Sequence, residues 1–172
     1  LRDTLDPELG LPVTPFRSAQ GFAAFKLFAR NMAEGHLGEL LRLHVWLPDD
    51  MEAVDPDLAI HAHQPFAASF VLCGGIENTD YVVADVSAAS TSEAAAGSLE
   101  MAKYAVRWDD SSEYKVHQTT SKIQNTGERV TIRPKASTRH GPGTTYSIAA
   151  GAFHSSKLSS KRLAATVFYF DS

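Results

Sequence analysis

From Leu40 onward the apolar residues recur at every second position, and that rhythm restricts the chain to a sheet architecture. Leu41, Leu43, Val45 and Leu47 alternate with Arg42, His44 and Trp46, the pattern of a half-buried strand. Further runs of strand character fall at 66–73, 76–84, 103–108, 113–119, 129–134, 144–149 and 163–170. Turn signals separate them: Gly74-Gly75, Asp109-Asp110, Asn125-Thr126-Gly127 and Gly141-Pro142-Gly143. Short strands at this spacing predict a mainly β domain, an antiparallel sandwich or barrel.

The N-terminal part reads differently. Pro7, Pro12 and Pro15 suggest an extended arm, and Ser18 stands where it would cap a helix over 19–34. Phe22, Phe25, Ala29 and Met32 recur there at helical spacing, flanked by Ala24 and Phe28, with Gly35 as a C-terminal stop. Such a stripe packs on the outside of a sheet, or forms a ligand groove or a dimer face. The expected organisation is an arm and helix (1–39) on a barrel (40–172), one structural domain overall, with a homodimer supported by the arm and helix. Residues 85–102, rich in Ala, Ser and Thr, break the strand rhythm and read as a short helix (92–101) or a lid.

The 172 residues carry a formal net charge of −4 with basic residues scattered, so no footprint for nucleic acid is present. No apolar run approaches the roughly 18 residues of a membrane span. The single cysteine, Cys73, excludes an intrachain disulfide and fits a reducing, cytoplasmic setting. It ends an apolar run and reads as a core thiol. No phosphate loop, dinucleotide fingerprint, Cys-x-x-Cys pair or Gly-x-Ser-x-Gly elbow occurs, and no organic cofactor is expected.

Chemistry concentrates on histidines. His61 and His63 are two apart, so on a strand their imidazoles share a face. They lie between an acidic, proline-containing loop (Asp49, Asp50, Glu52, Asp55, Pro56, Asp57) and an apolar strand. His154 follows about ninety residues later, after Gly151. A metal site and a pair of solvated strand histidines both fit His-x-His alone; the strand-mouth setting favours the metal site.

These residues resemble a cupin, most nearly the cysteine-dioxygenase type. The first cupin motif is His-x-His, a carboxylate and a strand-ending glycine. His61 and His63 match it, as does Gly74 or Gly75, while the carboxylate position falls on Ala67 or Ala68. The second motif, an apolar strand, a glycine and a histidine, is matched by 146–148, Gly151 and His154. The resemblance covers roughly 41–171 and implies a jelly-roll β-barrel with a metal on His61, His63 and His154. Loss of the carboxylate implies the thiol-dioxygenase branch, which similarly holds iron by three histidines. On its last strand that branch carries a histidine and a tyrosine facing the metal; here Phe168 and Phe170 take those positions, with Tyr169 opposite. Its substrate-carboxylate arginine has four candidates: Arg42, Arg107, Arg133 and Arg139.

Neutral imidazoles suit Fe(II), Zn, Ni and Cu alike. Three protein ligands leave positions open, and a divalent ion keeping its full charge attracts a thiolate, carboxylate or enolate. The leading expectation is a mononuclear Fe(II) dioxygenase or oxidase of a small anionic molecule, with dioxygen as second substrate. A Zn- or Ni-dependent isomerase, lyase or hydrolase, a binding cupin without turnover and a metal-free barrel are the alternatives. Tyr81 and Tyr146 are the candidate catalytic phenols, orienting oxygen or substrate if turned inward and packing in the core otherwise. Gln64, Ser69 and His44 are candidates for surrounding the metal, and His117 and His140 read as surface residues. Arg139 lies in a turn from which its charge would reach an anion across the barrel mouth.

Overall fold

The computed structural model describes residues 16–18, 20–31, 37–48, 58–86, 97–108 and 121–171. Their strands are β1 (Phe16–Arg17), β2 (Phe22–Asn31), β3 (Leu37–Trp46), β4 (His61–Ala62), β5 (Phe66–Cys73), β6 (Ile76–Asp85), β7 (Leu99–Trp108), β8 (Ser121–His140), β9 (Thr145–Ile148), β10 (Phe153–Leu158) and β11 (Ala164–Asp171). They form two antiparallel sheets in the orders β1-β2-β3-β11-β5-β9 and β4-β10-β6-β8-β7, a mainly β architecture. Among the described residues no helix is long and apolar enough to cross a membrane.

The helix expected over 19–34 is not formed: residues 22–31 are β2, paired with β3 from Phe22↔Trp46 to Asn31↔Leu37. The Phe22, Phe25 and Ala29 spacing fits a helix, but Phe22–Phe28 is almost continuously apolar, and such a run also suits a strand buried on both faces. Pairing with β3 decides it, because tertiary contact overrides weak local propensity. The segment read as a short helix to Met101 or a lid likewise ends in β7, with Leu99–Met101 paired to Val130–Ile132. The proline arm, Met32 to Gly35, the acidic loop, His117 and the strand expected at 113–119 lie outside the described residues.

Register sorts the first sheet into alternating rows. Phe22↔Trp46↔Ala164 and Ala24↔His44↔Thr166↔Val71 face the second sheet, as do Lys26↔Arg42↔Phe168↔Ser69↔Tyr146 and Leu40↔Phe170↔Ala67↔Ile148. Trp46 and Ala164 meet Ile76 of the second sheet in one core cluster, and Ala67, Ile148 and Phe168 form another. The intervening rows face outward: Ala23↔Val45↔Ala165↔Cys73, Phe25↔Leu43↔Val167↔Phe70↔Thr145 and Phe28↔Leu41↔Tyr169↔Ala68↔Ser147. On β3, then, the polar-looking row Arg42, His44, Trp46 is inside and Leu41, Leu43, Val45 are outside. Cys73 is exposed, not core, because β5 ends there at a bulged register.

Two further points position the site. Gly74 turns β5 into β6 with φ +70, and a Cβ there would collide with the Leu163 carbonyl and Ala164, so only glycine fits. β8 runs past the sheet: its 121–129 part pairs with β7 alone, leaving Tyr104, Val106 and Ile123 exposed on a two-stranded ribbon.

Candidate metal centre

β4 and β10 build the centre. Their antiparallel pairing sets His154 directly opposite His61, so both imidazoles rise from one face. His63 follows just past β4, and its carbonyl accepts the Gly151 N–H at 2.7 Å, tying the β9–β10 turn to the His-x-His segment. Ring centroids lie 4.9 Å apart for His61 and His63, 4.4 Å for His61 and His154, and 5.3 Å for His63 and His154. One nitrogen from each ring lies within 4.8 Å of the others.

Hydrogen bonds fix which nitrogens face inward. His154 Nδ1–H donates to Asn78 Oδ1 at 2.8 Å, and His61 Nδ1–H to the Ala59 carbonyl at 3.1 Å. Both Nε2 atoms are thereby left as lone-pair donors. His154 Nε2 is buried with no hydrogen-bond partner among the described residues. A metal ion held by the three nitrogens would supply that partner.

Burial, then the mutual proximity of the rings, holds His63 down to about 4 and His154 down to about 2; burial lowers His61 too. All three are neutral at pH 7, the form a metal requires. The folded values lie below the ordinary 6.5 that the unfolded chain takes, so below pH 6.5 the unfolded chain binds more protons. The metal-free protein is therefore expected to keep its full stability above about pH 6.5. It should lose up to about 1.4 kcal/mol per pH unit for each buried histidine as pH falls toward 4. Thermal melts of chelator-treated protein at falling pH read this directly; a flat Tm down to pH 4.5 contradicts it.

A wall of stacked rings backs the centre. His63 faces Phe168 at 5.3 Å, Phe168 stacks on His44 at 4.8 Å, and His44 stacks on Phe22 at 4.1 Å. His44, open between inside and outside in the sequence, is buried, and its pKa is well below the usual value through burial and the nearby Arg42, His63 and His61. Arg42, on the same inner face of β3, is lowered by burial to about 10 and so stays cationic at neutral pH. Its charge helps to lower the pKa of His63 as well as that of His44. Arg139 instead bonds Glu77 at 2.9 Å, opposite it on the outer face of the second sheet, and Arg133 is exposed. The side chain of Arg107 lies outside the described set.

The other candidates separate. Tyr146 packs against both core clusters; burial raises its pKa, against the Ser69 and Ser156 hydroxyls, and its ring stacks on the half-buried His140 at 4.4 Å. Ser156 donates to Asn78 Oδ1 at 3.1 Å, linking the Tyr146 neighbourhood to His154. Tyr81 bonds Ser155 at 3.1 Å; Ser155 adjoins His154 on β10 and faces the opposite way, so Tyr81 does not reach the centre. Ser69 is buried in the inner row and Gln64 is exposed. Phe168 and Phe170 face inward while Tyr169 bonds Glu39 outside. A depression lined by Arg139, His140, Ser159 and Arg162 lies at the Gly74-Gly75 turn, apart from the three histidines. Sequence reading missed Asn78, whose partner is set by strand register, and left Arg42 one of four; its shared parity with His44 was the available signal.

No family model matches the chain, and no curated protein matches it. Among solved structures it is similar to hydroxypropylphosphonic acid epoxidase from S. wedmorenis, at 12% identity and a TM-score of 0.46, over 98% of this chain and 62% of that one. The chain thus spans less than two thirds of that protein's length.

Proposed function

We propose that His61, His63 and His154 hold Fe(II) and that the protein is an oxidase or dioxygenase of a small anionic molecule, with dioxygen as co-substrate. The observation that carries this reading is the convergence of three neutral histidines, with His154 Nε2 buried and without a partner among the described residues. A divalent ion on an uncharged donor set would keep its full charge and so favour an anionic ligand. Bound at the histidines, Fe(II) supplies redox chemistry with dioxygen and a point of attachment for the anionic group.

The chain's own residues do the rest. Asn78 and the Ala59 carbonyl hold His154 and His61 with Nε2 inward. Arg42 binds the substrate's carboxylate or comparable oxyanion and sets its direction. Phe168, His44 and Phe22 close that side against water. Tyr146, through Ser156 and Asn78, is a positioning residue. The finer assignment, a thiol dioxygenase, draws support from the ligand set: Ala67, at the motif's carboxylate position, is fully buried and brings no charge. Phe168 and Phe170 give that reaction no polar group from the last strand.

The test begins with elemental analysis of protein purified without added metal, beside the His61→Ala/His63→Ala double variant. Near-stoichiometric iron in the first alone, with oxygen uptake on small thiols or acids, supports the reading. Zinc or nickel with no oxygen uptake replaces it with an isomerase, lyase or hydrolase. For Arg42→Met, removing a charge-assisted hydrogen bond of about 1.5–3 kcal/mol should raise KM about 10- to 100-fold with kcat little changed. An unaltered KM removes Arg42 from the substrate site.

A further inference from the structure

The two sheets present opposite kinds of surface. On the outside of the second sheet Glu77 bonds Arg139 at 2.9 Å and Lys157 at 3.2 Å, and Thr79 meets Ser137 at 3.0 Å. That is a face made for water. The outer rows of the first sheet carry no Asp, Glu, Lys or Arg at any of the paired positions from Ala23 to Cys73, Phe25 to Thr145 and Phe28 to Ser147. Their middle row runs Phe25, Leu43, Val167, Phe70 across four strands, with Phe70 41% and Phe28 50% exposed. An antiparallel sheet that faces water on one side alternates apolar and polar residues; one apolar on both sides is covered on both.

We propose that this face is the interface of a homodimer, two copies stacking their first sheets across a two-fold axis. Three features select a second copy as the occupant. An uncharged face is complementary to itself, and a two-fold interface presents the same patch from both sides. The chain's net charge of −4 is carried elsewhere, so two copies meet here without opposing like charges. Area is the third: about seven residues at ~3.4 Å by five strands at ~4.8 Å give a flat footprint of roughly 570 Å2. Side-chain relief carries that into the roughly 600–1,000 Å2 per partner of a stable interface. Sheets packed face to face about 10 Å apart would interdigitate the phenylalanine and leucine side chains as in a sandwich core. The rim is marked by Glu39, whose carboxylate accepts the Tyr169 hydroxyl at 3.2 Å.

Sedimentation equilibrium of the full chain tests this. The expected mass is twice the 18.6 kDa of one chain. Phe70→Glu should sediment as a monomer with an unchanged far-UV spectrum, whereas Thr79→Glu, on the outside of the other sheet, should remain a dimer. A second reading uses the wild-type protein and needs no variant to fold. The exposed Cys73 borders the outer rows, so its alkylation by a bulky maleimide should slow severalfold as protein concentration rises through the dissociation constant. A single-chain mass at every concentration overturns the proposal and assigns the cover to the chain's own residues or another partner. So does a dimer retained in both Phe70→Glu and Leu43→Glu, or a Cys73 rate independent of concentration.

Discussion

Replacing His154 with alanine is expected to abolish metal uptake. The ring stands directly opposite His61, is buried, and offers an Nε2 with no other partner among the described residues. The substitution removes one donor of three and leaves Asn78 Oδ1 without the N–H it accepts. Asn78→Leu should give the graded form of the same loss. All three donors remain, but His154 is no longer held in its tautomer and orientation, which weakens affinity by about 10- to 100-fold. Competition titrations with a chelating dye after anaerobic loading separate the two variants. Stoichiometric metal in His154→Ala would remove the three-histidine centre from consideration, and wild-type affinity in Asn78→Leu would show that the hydrogen bond does not tune it.

The largest effect on folding should come from Trp46→Ala. Trp46 is 2% exposed and joins β3 to Ile76 of the other sheet and to Ala164 on β11. Deleting so large a buried side chain costs about 3–5 kcal/mol, the lost burial together with the cavity that remains. Domains of this size have about 5–15 kcal/mol in total, so the variant should lie at the margin of folding. Trp46→Phe should be much milder, because the indole N–H has no hydrogen-bond partner to lose among the described residues. Urea titrations give both values; a loss under about 1 kcal/mol for Trp46→Ala would mean that the two sheets are not keyed together there.

The contrast between strands shows what can be read from residues alone. The expected 66–73, 76–84 and 163–170 are observed at Phe66–Cys73, Ile76–Asp85 and Ala164–Asp171, where alternation and a glycine turn act together. β10 was missed because Phe153–Leu158 is largely polar: its role is to carry His154 and to pair, and pairing leaves no mark in composition. β2 is ambiguous in sequence because its phenylalanines fit both periods, and only its pairing with β3 makes it a strand. On β3 alternation identified a strand and left its direction open, since nothing local says that Arg42 and His44 belong inside and Leu43 outside. The sequence spacing is enough to pick out the three histidines, which the fold does bring together. Arg42 and Asn78 needed the register of whole sheets.

The β4–β10 ladder gives the centre a history as well as a shape. His61 and His154 are neighbours only because a long stretch of chain, including β5, β6, β8 and β9, has already been laid down between them. Contacts between such distant segments form late and slowly, after the entropy of closing the loop has been met. The three rings meet through the pairing of β4 with β10, in contrast to sites whose ligands sit on one short segment. Metal capture at the proposed centre would therefore read out completed topology, and a bound ion would stabilise the double sheet by RT ln(1 + c/Kd) at free-metal concentration c. The rate at which a refolding chain acquires metal would time the pairing of β4 with β10.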